Sequence, residues 1–335
     1  MSVHRRLLVL IAAAAISMAP PPSNAQQPAK TYRVGFILTT TPVAEMAGPD
    51  PVHRPFREFV HALRDLGYVE GRNLTLERRS AEGKFERLSD IAAELAASKT
   101  DVIVVINDFV AQRAHQATST IPIVQVTGSD PVGLGLAQSL SRPGGNVTGL
   151  TESPTPEIAA KRLELLKEAA PAAKRIAFLG LNTDWESPSG QSVRRAAQAL
   201  GMKLVRVDHR PNDYAAAFAQ IARERIDALY LASNPPNWQH RRQIAEFAAR
   251  NRLPSTFSVR DYPEAGGLMS YGYDLRENSR RAAQYVDKIL KGAKPGDLPI
   301  EEPTKFELVI NASTARAMGL AIPQALLLRA DQALE

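Results

Sequence analysis

Short apolar runs alternate with amphipathic helical patterns along the first half of the chain. The segments Tyr32–Leu38, Asp101–Ile106 and Ile121–Val126 are dominated by β-branched and other apolar residues, as are buried strands of parallel sheets. Asn73–Arg78 is a further strand candidate. Apolar residues at helical spacing predict helices over 55–66, around Leu88, Ile91 and Leu95, and over Val110–Thr118. This alternation predicts an α/β fold with a doubly wound parallel sheet.

The second half of the chain repeats this rhythm without repeating the residues. Strands are predicted over Arg175–Leu181, Lys203–Val207, Asp227–Ser233, Pro254–Ser258 and Lys305–Ile310, with helical patterns between them. We expect Gly266–Tyr273 to lead the chain back to the first half, and the tail from Pro323 to end in a helical turn or two. A second α/β lobe is therefore predicted, and 335 residues are enough for about two domains.

The stretch from Ile121 to Thr151 stands between these two halves. Its strand ends in Thr127–Pro131, a cluster of small, polar and turn-forming residues. A weakly helical segment is predicted over Leu134–Leu140, before the turn at Pro143–Asn146. We interpret the stretch as the last strand of one lobe, a ligand-facing loop and the first crossing to the other lobe.

The N-terminus has the features of a secretory signal peptide. His4-Arg5-Arg6 is a basic segment, and Leu7–Met18 is an apolar segment that is short for a membrane span. Ser23-Asn24-Ala25 has the spacing of small residues that precedes a cleavage site. We expect residues 1–25 to be removed and the protein to be exported to the periplasm, by either the general secretory or the twin-arginine route.

Composition excludes several kinds of chemistry. The chain contains no cysteine, which rules out disulfides, thiolate metal sites and cysteine nucleophiles. Its net charge of +6 is spread over helix faces with no nucleic-acid-binding motif, so no nucleic-acid partner is predicted. Nucleotide-binding, zinc-protease and serine-hydrolase motifs are absent. No catalytic residue, metal or cofactor is predicted, and His53 and His61 are expected at the surface.

Several sequence blocks occur together in a specific order. They are Gly67–Asn73, Gly128–Gly133, Arg142–Gly149, Ala160–Leu166, Gly266–Gly272, Ile289–Gly292 and Pro303–Asn311. In these blocks, which span nearly the whole exported part, the chain resembles the ABC-transporter substrate-binding proteins of the tryptophan/tyrosine-binding type. Those proteins are solute receptors with a type I periplasmic binding protein fold.

The resemblance implies two α/β lobes joined by three crossing segments, with a small solute in the cleft between them. Lobe 1 is predicted over 30–149 plus 272–303, and lobe 2 over 150–271 plus 304–335. The resemblance also implies two partners, a membrane permease and a cytoplasmic ATPase on separate chains. Contact with the membrane is expected only through the permease.

In this fold the solute lies at the carboxyl ends of strands, where helix N-termini favour a carboxylate. The candidates that follow strands of lobe 1 are Thr39, Thr40, Asn107, Phe109, Thr127, Gly128 and Ser129. Turn formation and helix capping are the alternative role for each of them. Many relatives carry small residues where this chain has Asn107-Asp108-Phe109, so Phe109 is expected to alter the pocket.

Acidic and aromatic residues supply the remaining candidates. Asp130 follows a buried strand and is expected either to accept the ammonium of an amino acid or to cap the next turn. Tyr271 is expected at the cleft wall or in the hinge, and Trp185 and Trp238 either stack on a flat solute or occupy surface or hinge positions. The candidates from lobe 2 are Asn182, Asp184, Ser233 and Asn234, with Asp184 as the second possible ammonium partner.

These features predict a periplasmic receptor of an ABC importer. It is expected to close its lobes around a small organic solute, and the resemblance suggests an aromatic or branched amino acid or a related carboxylate. Two alternatives stay open, a periplasmic sensor that presents the same lobes to a signalling partner and an enzyme built on this fold.

Overall fold

A computed structural model of the protein describes residues 30–152, 155–210 and 213–335. The predicted signal peptide, residues 1–25, lies outside the described residues. Within them, no helix has the length and apolar character needed to cross a membrane.

The first sheet contains five parallel strands in the order β2-β1-β3-β4-β5. Its strands are β1 Tyr32–Leu38, β2 Leu74–Ser80, β3 Val102–Val105, β4 Ile123–Gln125 and β5 Val147–Gly149. Its helices are α1 Arg54–Asp65, α2 Leu88–Ala97 and α3 Asp108–Ala117. Every residue of β3 is buried, as expected for a central strand covered on both faces. The doubly wound parallel sheet predicted from the sequence is confirmed.

The second sheet contains seven strands in the order β12-β11-β10-β9-β8-β6-β7. Its strands are β6 Arg175–Gly180, β7 Lys203–Asp208, β8 Ala228–Leu231, β9 Ser255–Phe257, β10 Met269–Gly272, β11 Glu307–Asn311 and β12 Gln332–Leu334. The helices here are α4 Glu157–Ala169, α5 Asn182–Glu186, α6 Pro188–Ala199, α7 Ala215–Arg223, α8 Pro235–Gln239, α9 Arg241–Arg250 and α10 Asp261–Glu264. All its pairings are parallel except that of β10 with β11.

The remaining helices are α11 Leu275–Leu290, α12 Ala312–Met318 and α13 Gln324–Leu327. Helix α11 leaves the second sheet after β10 and packs along α1, which belongs to the first sheet. An ion pair of 2.7 Å between Arg280 and Glu58 joins the two helices. The chain therefore passes between the sheets three times, after β5, after β10 and before β11. The residue limits predicted for the two lobes remain predictions.

Aromatic packing fixes α1 against the first sheet. The ring of Phe36 on β1 makes edge-to-face contacts with Phe56 and Phe59 of α1, at centroid distances of 4.8 and 4.9 Å. All three rings are fully buried or nearly so. Such pairs add to the stabilisation from burial itself, and they bring the N-terminus of α1 to the carboxyl end of β1.

Three sequence-based expectations were wrong. Residues 134–140 form a turn followed by bends and not a helix, because Gly133 precedes the segment and Gly135, with a φ of +70°, interrupts it. His53 is buried, and its Nδ1 accepts a hydrogen bond from the Phe56 amide at the start of α1. The tail does form α13, but it then adds β12, which pairs in parallel with β11.

Gly149 provides a test of how closely β4 and β5 must approach. A Cβ at this position would lie 2.1 Å from the Gln125 carbonyl oxygen, and the φ of +130° is one that other residues rarely adopt. We expect Gly149→Ala to lower the free energy of unfolding by roughly 2 to 5 kcal/mol, from backbone strain and steric overlap together. Urea denaturation of purified protein would measure the loss.

Gly145→Ala is the matched control, because a Cβ there would meet no atom nearer than 3.9 Å. We expect this variant to unfold like wild type. Equal stability of the two variants would contradict the close approach of the strands.

Candidate functional site

The carboxyl ends of strands from both sheets face one cavity of about 360 Å³, called here the first cavity. The first sheet lines it with the segments that follow β1, β3 and β4, and the second sheet with those that follow β8, β9 and β10. Nine of the predicted site residues lie in its wall, namely Thr39, Thr40, Asn107, Phe109, Thr127, Gly128, Ser129, Ser233 and Asn234. The structure thus brings together residues that are up to about 195 positions apart in sequence.

Aromatic side chains form much of the apolar wall of the first cavity. Phe109 stands on the first turn of α3 and keeps 36% of its surface exposed, with the Arg113 guanidinium 3.7 Å from its ring centroid. Trp238 makes edge contacts with His53 and Tyr262. Tyr273 is buried in the same wall. A flat solute would find ring surfaces contributed by both sheets.

Asp108 was not among the predicted site residues, yet it is the most constrained carboxylate of the first cavity. Its Oδ2 accepts hydrogen bonds from the Ser129 amide at 2.5 Å, the Ser129 hydroxyl at 2.8 Å and the Asp130 amide at 3.1 Å. Its Oδ1 is buried and has no hydrogen-bond partner among the described residues. The side chain is only 7% exposed, so this oxygen has lost water without gaining a protein donor.

The backbone around Asp108 leaves room for this arrangement. Gly128 lies so close that a Cβ there would be 2.6 Å from Asp108 Oδ1 and 2.0 Å from the Gln125 side chain. Asn107 caps α3, with its Oδ1 accepting from the Val110 amide at 3.2 Å. The N-cap therefore holds the first turn of α3 while the next residue turns its carboxylate toward the cavity.

Asn234 has a similar capping role in the second sheet. Its Oδ1 accepts from the Asn237 amide at 2.8 Å at the start of α8, and its Nδ2 donates to Asp184 Oδ2 at 2.6 Å. Capping was the alternative role predicted for the strand-end residues of lobe 1, which include Asn107. For Asn107 and Asn234 the capping contacts are present alongside a place in the cavity wall.

A second cavity, of about 460 Å³, adjoins the first. Its walls come mainly from the N-terminal halves of α4 and α6 and from β6, β8 and the end of β10. The residues that line both cavities are Ser129, Glu152, Ser233, Ser258 and Tyr273. Among the predicted site residues, the second cavity also contains Asp130, Asp184 and Tyr271.

Both predicted ammonium partners are engaged in local hydrogen bonds. Asp130 is exposed, and its Oδ1 accepts from the Gly133 amide at 2.8 Å, which is the turn-capping alternative. Asp184 Oδ2 accepts from the Leu181 amide at 2.7 Å, and burial raises the pKa of this carboxyl. Asn182 lies outside both cavities, where its Oδ1 accepts from Arg206.

The two tryptophans have different surroundings. Trp238 lines the first cavity, a position that stacking on a flat solute would require. Trp185 lines neither cavity; it packs edge-on against Phe178 at a centroid distance of 5.3 Å and lies beside Arg194.

Glu152 occupies the boundary between the cavities, just after the first crossing. Burial and the neighbouring Asp108 carboxylate raise the pKa of Glu152 to about 7, although Arg162 acts in the opposite direction. Its backbone amide donates to the Gly128 carbonyl at 2.8 Å. The site residues were predicted from their positions after predicted strands. Glu152 lies at a crossing, where the sequence predicts no strand, and so it was not predicted.

Arg162 is the basic side chain of the second cavity. It lies within α4 and is 8% exposed, and its Cζ is 5.5 Å from the Tyr230 ring centroid. Its Nε and Nη1 are buried without a hydrogen-bond partner among the described residues. Arg162 was not predicted as a site residue, since a charged residue within an amphipathic helix is ordinarily exposed. Nowhere in the described part of the chain do three or more metal-ligating side chains cluster.

The architecture is that of the type I periplasmic binding proteins, two α/β sheets joined by three crossings with a cavity between their strand ends. Residues 49–334 match the model of one family, the ABC transporter substrate binding proteins. The chain belongs to this family, whose members are periplasmic or extracellular substrate-binding proteins.

Individual relatives agree with this assignment. A tyrosine-binding protein of Clostridioides difficile is 27% identical over 263 residues, which cover 78% of this chain and 75% of that protein. The solved structure of a conserved domain protein from Vibrio cholerae has a TM-score of 0.79 and 29% identity, and covers 91% of this chain and all of that one. An ABC domain from Streptococcus pneumoniae in complex with L-Trp has a TM-score of 0.78 with the same coverage, and at 22% identity it supports the fold alone.

Glu152 should make stability depend on pH. Its folded-state pKa of about 7 exceeds the ordinary value of 4.5, so the folded protein binds more protons than the unfolded chain between these values. The contribution of Glu152 to the free energy of unfolding is present below about pH 4.5 and is lost as the pH rises toward 7. At roughly 1.4 kcal/mol per pKa unit, we expect wild type to lose about 1 to 3 kcal/mol more than Glu152→Gln between pH 5 and pH 8.

Urea denaturation of both proteins at the two pH values would measure this difference. Burial also raises the pKa of Glu307 to about 7. Glu307 is present in both proteins, so its contribution cancels when the unfolding free energy of the variant is subtracted from that of wild type. Parallel pH profiles for the two proteins would contradict the assigned environment of Glu152.

Proposed function

We propose that this chain is the solute receptor of an ABC importer and that its solute is an amino acid, aromatic or branched, or a related carboxylate. The observation on which the proposal rests is the first cavity, where the partnerless Oδ1 of Asp108 lies in the same wall as exposed aromatic surface. A buried acceptor of this kind stabilises a cationic donor more strongly than water-exposed acceptors do.

The chemistry of an amino acid matches this wall. The ammonium group would donate to Asp108 Oδ1, which the three donors on Oδ2 hold in place. A flat or branched side chain would lie against Phe109 and Trp238 and bury apolar surface. The relative that is a tyrosine-binding protein supports this class of solute.

The division of the first cavity between the two sheets also supports a receptor function. A solute that touches segments after β1 and β3 on one side and after β8 and β9 on the other favours arrangements in which both sets are close. The closed arrangement would be recognised by a membrane permease, which a separate ATPase drives. The proposal includes export to the periplasm after removal of residues 1–25, and it includes binding without catalysis.

A thermal-shift screen of purified protein against amino acids, aromatic acids, small carboxylates, purines and sugars tests the proposal. A ligand that binds only the folded state adds about 2.7 kcal/mol of stability at a hundredfold excess over its dissociation constant. We expect the melting temperature to rise with one or more amino acids or aromatic carboxylates. A rise with sugars or purines only would contradict the proposed solute class.

A lack of any shift, with no solute found by mass spectrometry of the denatured protein, would contradict the receptor function itself. Finding a solute that was retained through purification would identify the natural ligand directly.

Phe109→Ala tests the aromatic wall. Since the ring is 36% exposed, we expect the unfolding free energy to change by less than about 1 kcal/mol. The affinity for L-tyrosine or L-tryptophan, measured by calorimetry, should fall by roughly tenfold from the lost ring contact. Leu328→Ala, at a 79% exposed position outside both cavities, is the control. Unchanged affinity in Phe109→Ala would show that the solute does not use this ring.

A further inference from the structure

We infer that Arg162 is the carboxylate anchor of the solute and that the second cavity is the subsite for this group. The inference rests on the proposed receptor function and deepens it, because it names the residue that binds the acidic end of the solute. It also differs from the sequence expectation, which assigned a carboxylate to helix N-termini.

The placement of Arg162 is that of a binding group. Arg162 is only 8% exposed. Its Nε and Nη1 are out of contact with water, and neither has gained an acceptor among the described residues. Arginine is almost never buried unless it is paired. Leaving buried donors of a charged group unsatisfied is costly, so an external acceptor would bring a large gain.

The surroundings hold the guanidinium without neutralising it. On one side lies the ring of Tyr230, whose hydroxyl is itself engaged with the Ala159 carbonyl at 3.1 Å. The acidic groups that line the same cavity are Asp130, Glu152 and Asp184. Asp130 and Asp184 use carboxylate oxygens in local hydrogen bonds. Burial raises the pKa of Glu152 to about 7, which leaves this side chain largely uncharged in mildly acidic solution.

The chemistry of the cavity favours a carboxylate over a phosphate. The planar guanidinium fork matches a carboxylate in two-point contact. A phosphate dianion would suffer repulsion from the carboxylates of Asp130 and Asp184, whereas a single carboxylate that belongs to a zwitterion brings its own positive group. The two cavities meet at Glu152, which is within electrostatic reach of both Asp108 and Arg162. An amino acid head group at this boundary would place its ammonium toward Asp108 and its carboxylate toward Arg162.

Calorimetry with three related probes tests the assignment. L-tyrosine has both charged groups, tyramine lacks the carboxylate, and 3-(4-hydroxyphenyl)propanoate lacks the ammonium. We expect Arg162→Met to weaken binding of L-tyrosine and of the propanoate by roughly 10- to 100-fold, and to leave tyramine unchanged. Lys161→Met is the matched control, because it removes one positive charge from the neighbouring position of α4 and lies outside both cavities. This control should bind all three probes like wild type.

Stability without solute separates binding from a structural role. Methionine keeps much of the side-chain volume and removes a buried, unpaired charge, so the ligand-free Arg162→Met protein should melt at or above the temperature of wild type. A fall of more than 5 °C would assign Arg162 a structural role and overturn the inference. Unchanged affinity of the variant for L-tyrosine would overturn it as well.

The inference and the receptor function fail in different ways. If none of the three probes binds wild type while a sugar or purine raises its melting temperature, the carboxylate anchor is wrong and a receptor function remains. If no compound in the screen binds and no solute is carried through purification, both are wrong.

Discussion

The amide of Asn278 joins the segments on which the site depends. This side chain, 3% exposed on α11, donates to the Val126 carbonyl at the end of β4 and to the Thr151 carbonyl at the first crossing, each at 3.1 Å. Both acceptors are backbone groups that would otherwise be buried without a donor. One residue of the helix that returns from the second sheet thus connects the strand end, the crossing and the cavity wall.

The energetic cost of the site is concentrated in a few polar groups. The described residues pair most buried polar atoms, yet Asp108 Oδ1 and two nitrogens of Arg162 remain unpaired beside the cavities. A buried charge without a partner lowers stability, and surrounding structure must offset the cost. Here the offset comes from the buried strands and from rings such as Phe36, Phe56 and Phe59, which lie away from the cavities. Unpaired charges with opposite signs at adjoining cavities are the pattern that a zwitterion can satisfy.

Local sequence determines much of the fold and only part of the site. The run at β3 is apolar throughout and specifies a buried strand regardless of its neighbours, and α1 is specified by the spacing of its apolar residues. The helix predicted over 134–140 does not form, because the positive φ of Gly135 is incompatible with a right-handed helix. The missing partners of Asp108 Oδ1 and of two Arg162 nitrogens could not be identified from the sequence, because they depend on what segments distant in sequence fail to supply. The burial of His53 was missed for the same reason, because Trp238, which contacts its ring, is distant in sequence.

Direct contacts connect the cavity wall to the first crossing. Gly128 lies beside Asp108 with no room for a Cβ, and its carbonyl accepts from the amide of Glu152. The next bridge along the crossing pairs Leu150 with Glu301, a residue just ahead of the third crossing. Hydrogen bonds from the Ser129 and Asp130 amides to Asp108, together with the bond from the Glu152 amide to the Gly128 carbonyl, thus connect Asp108 to the backbone that links the sheets. These contacts are direct. A solute in the cavity could therefore influence the arrangement of the two sheets through Asp108, Gly128 and Glu152 alone.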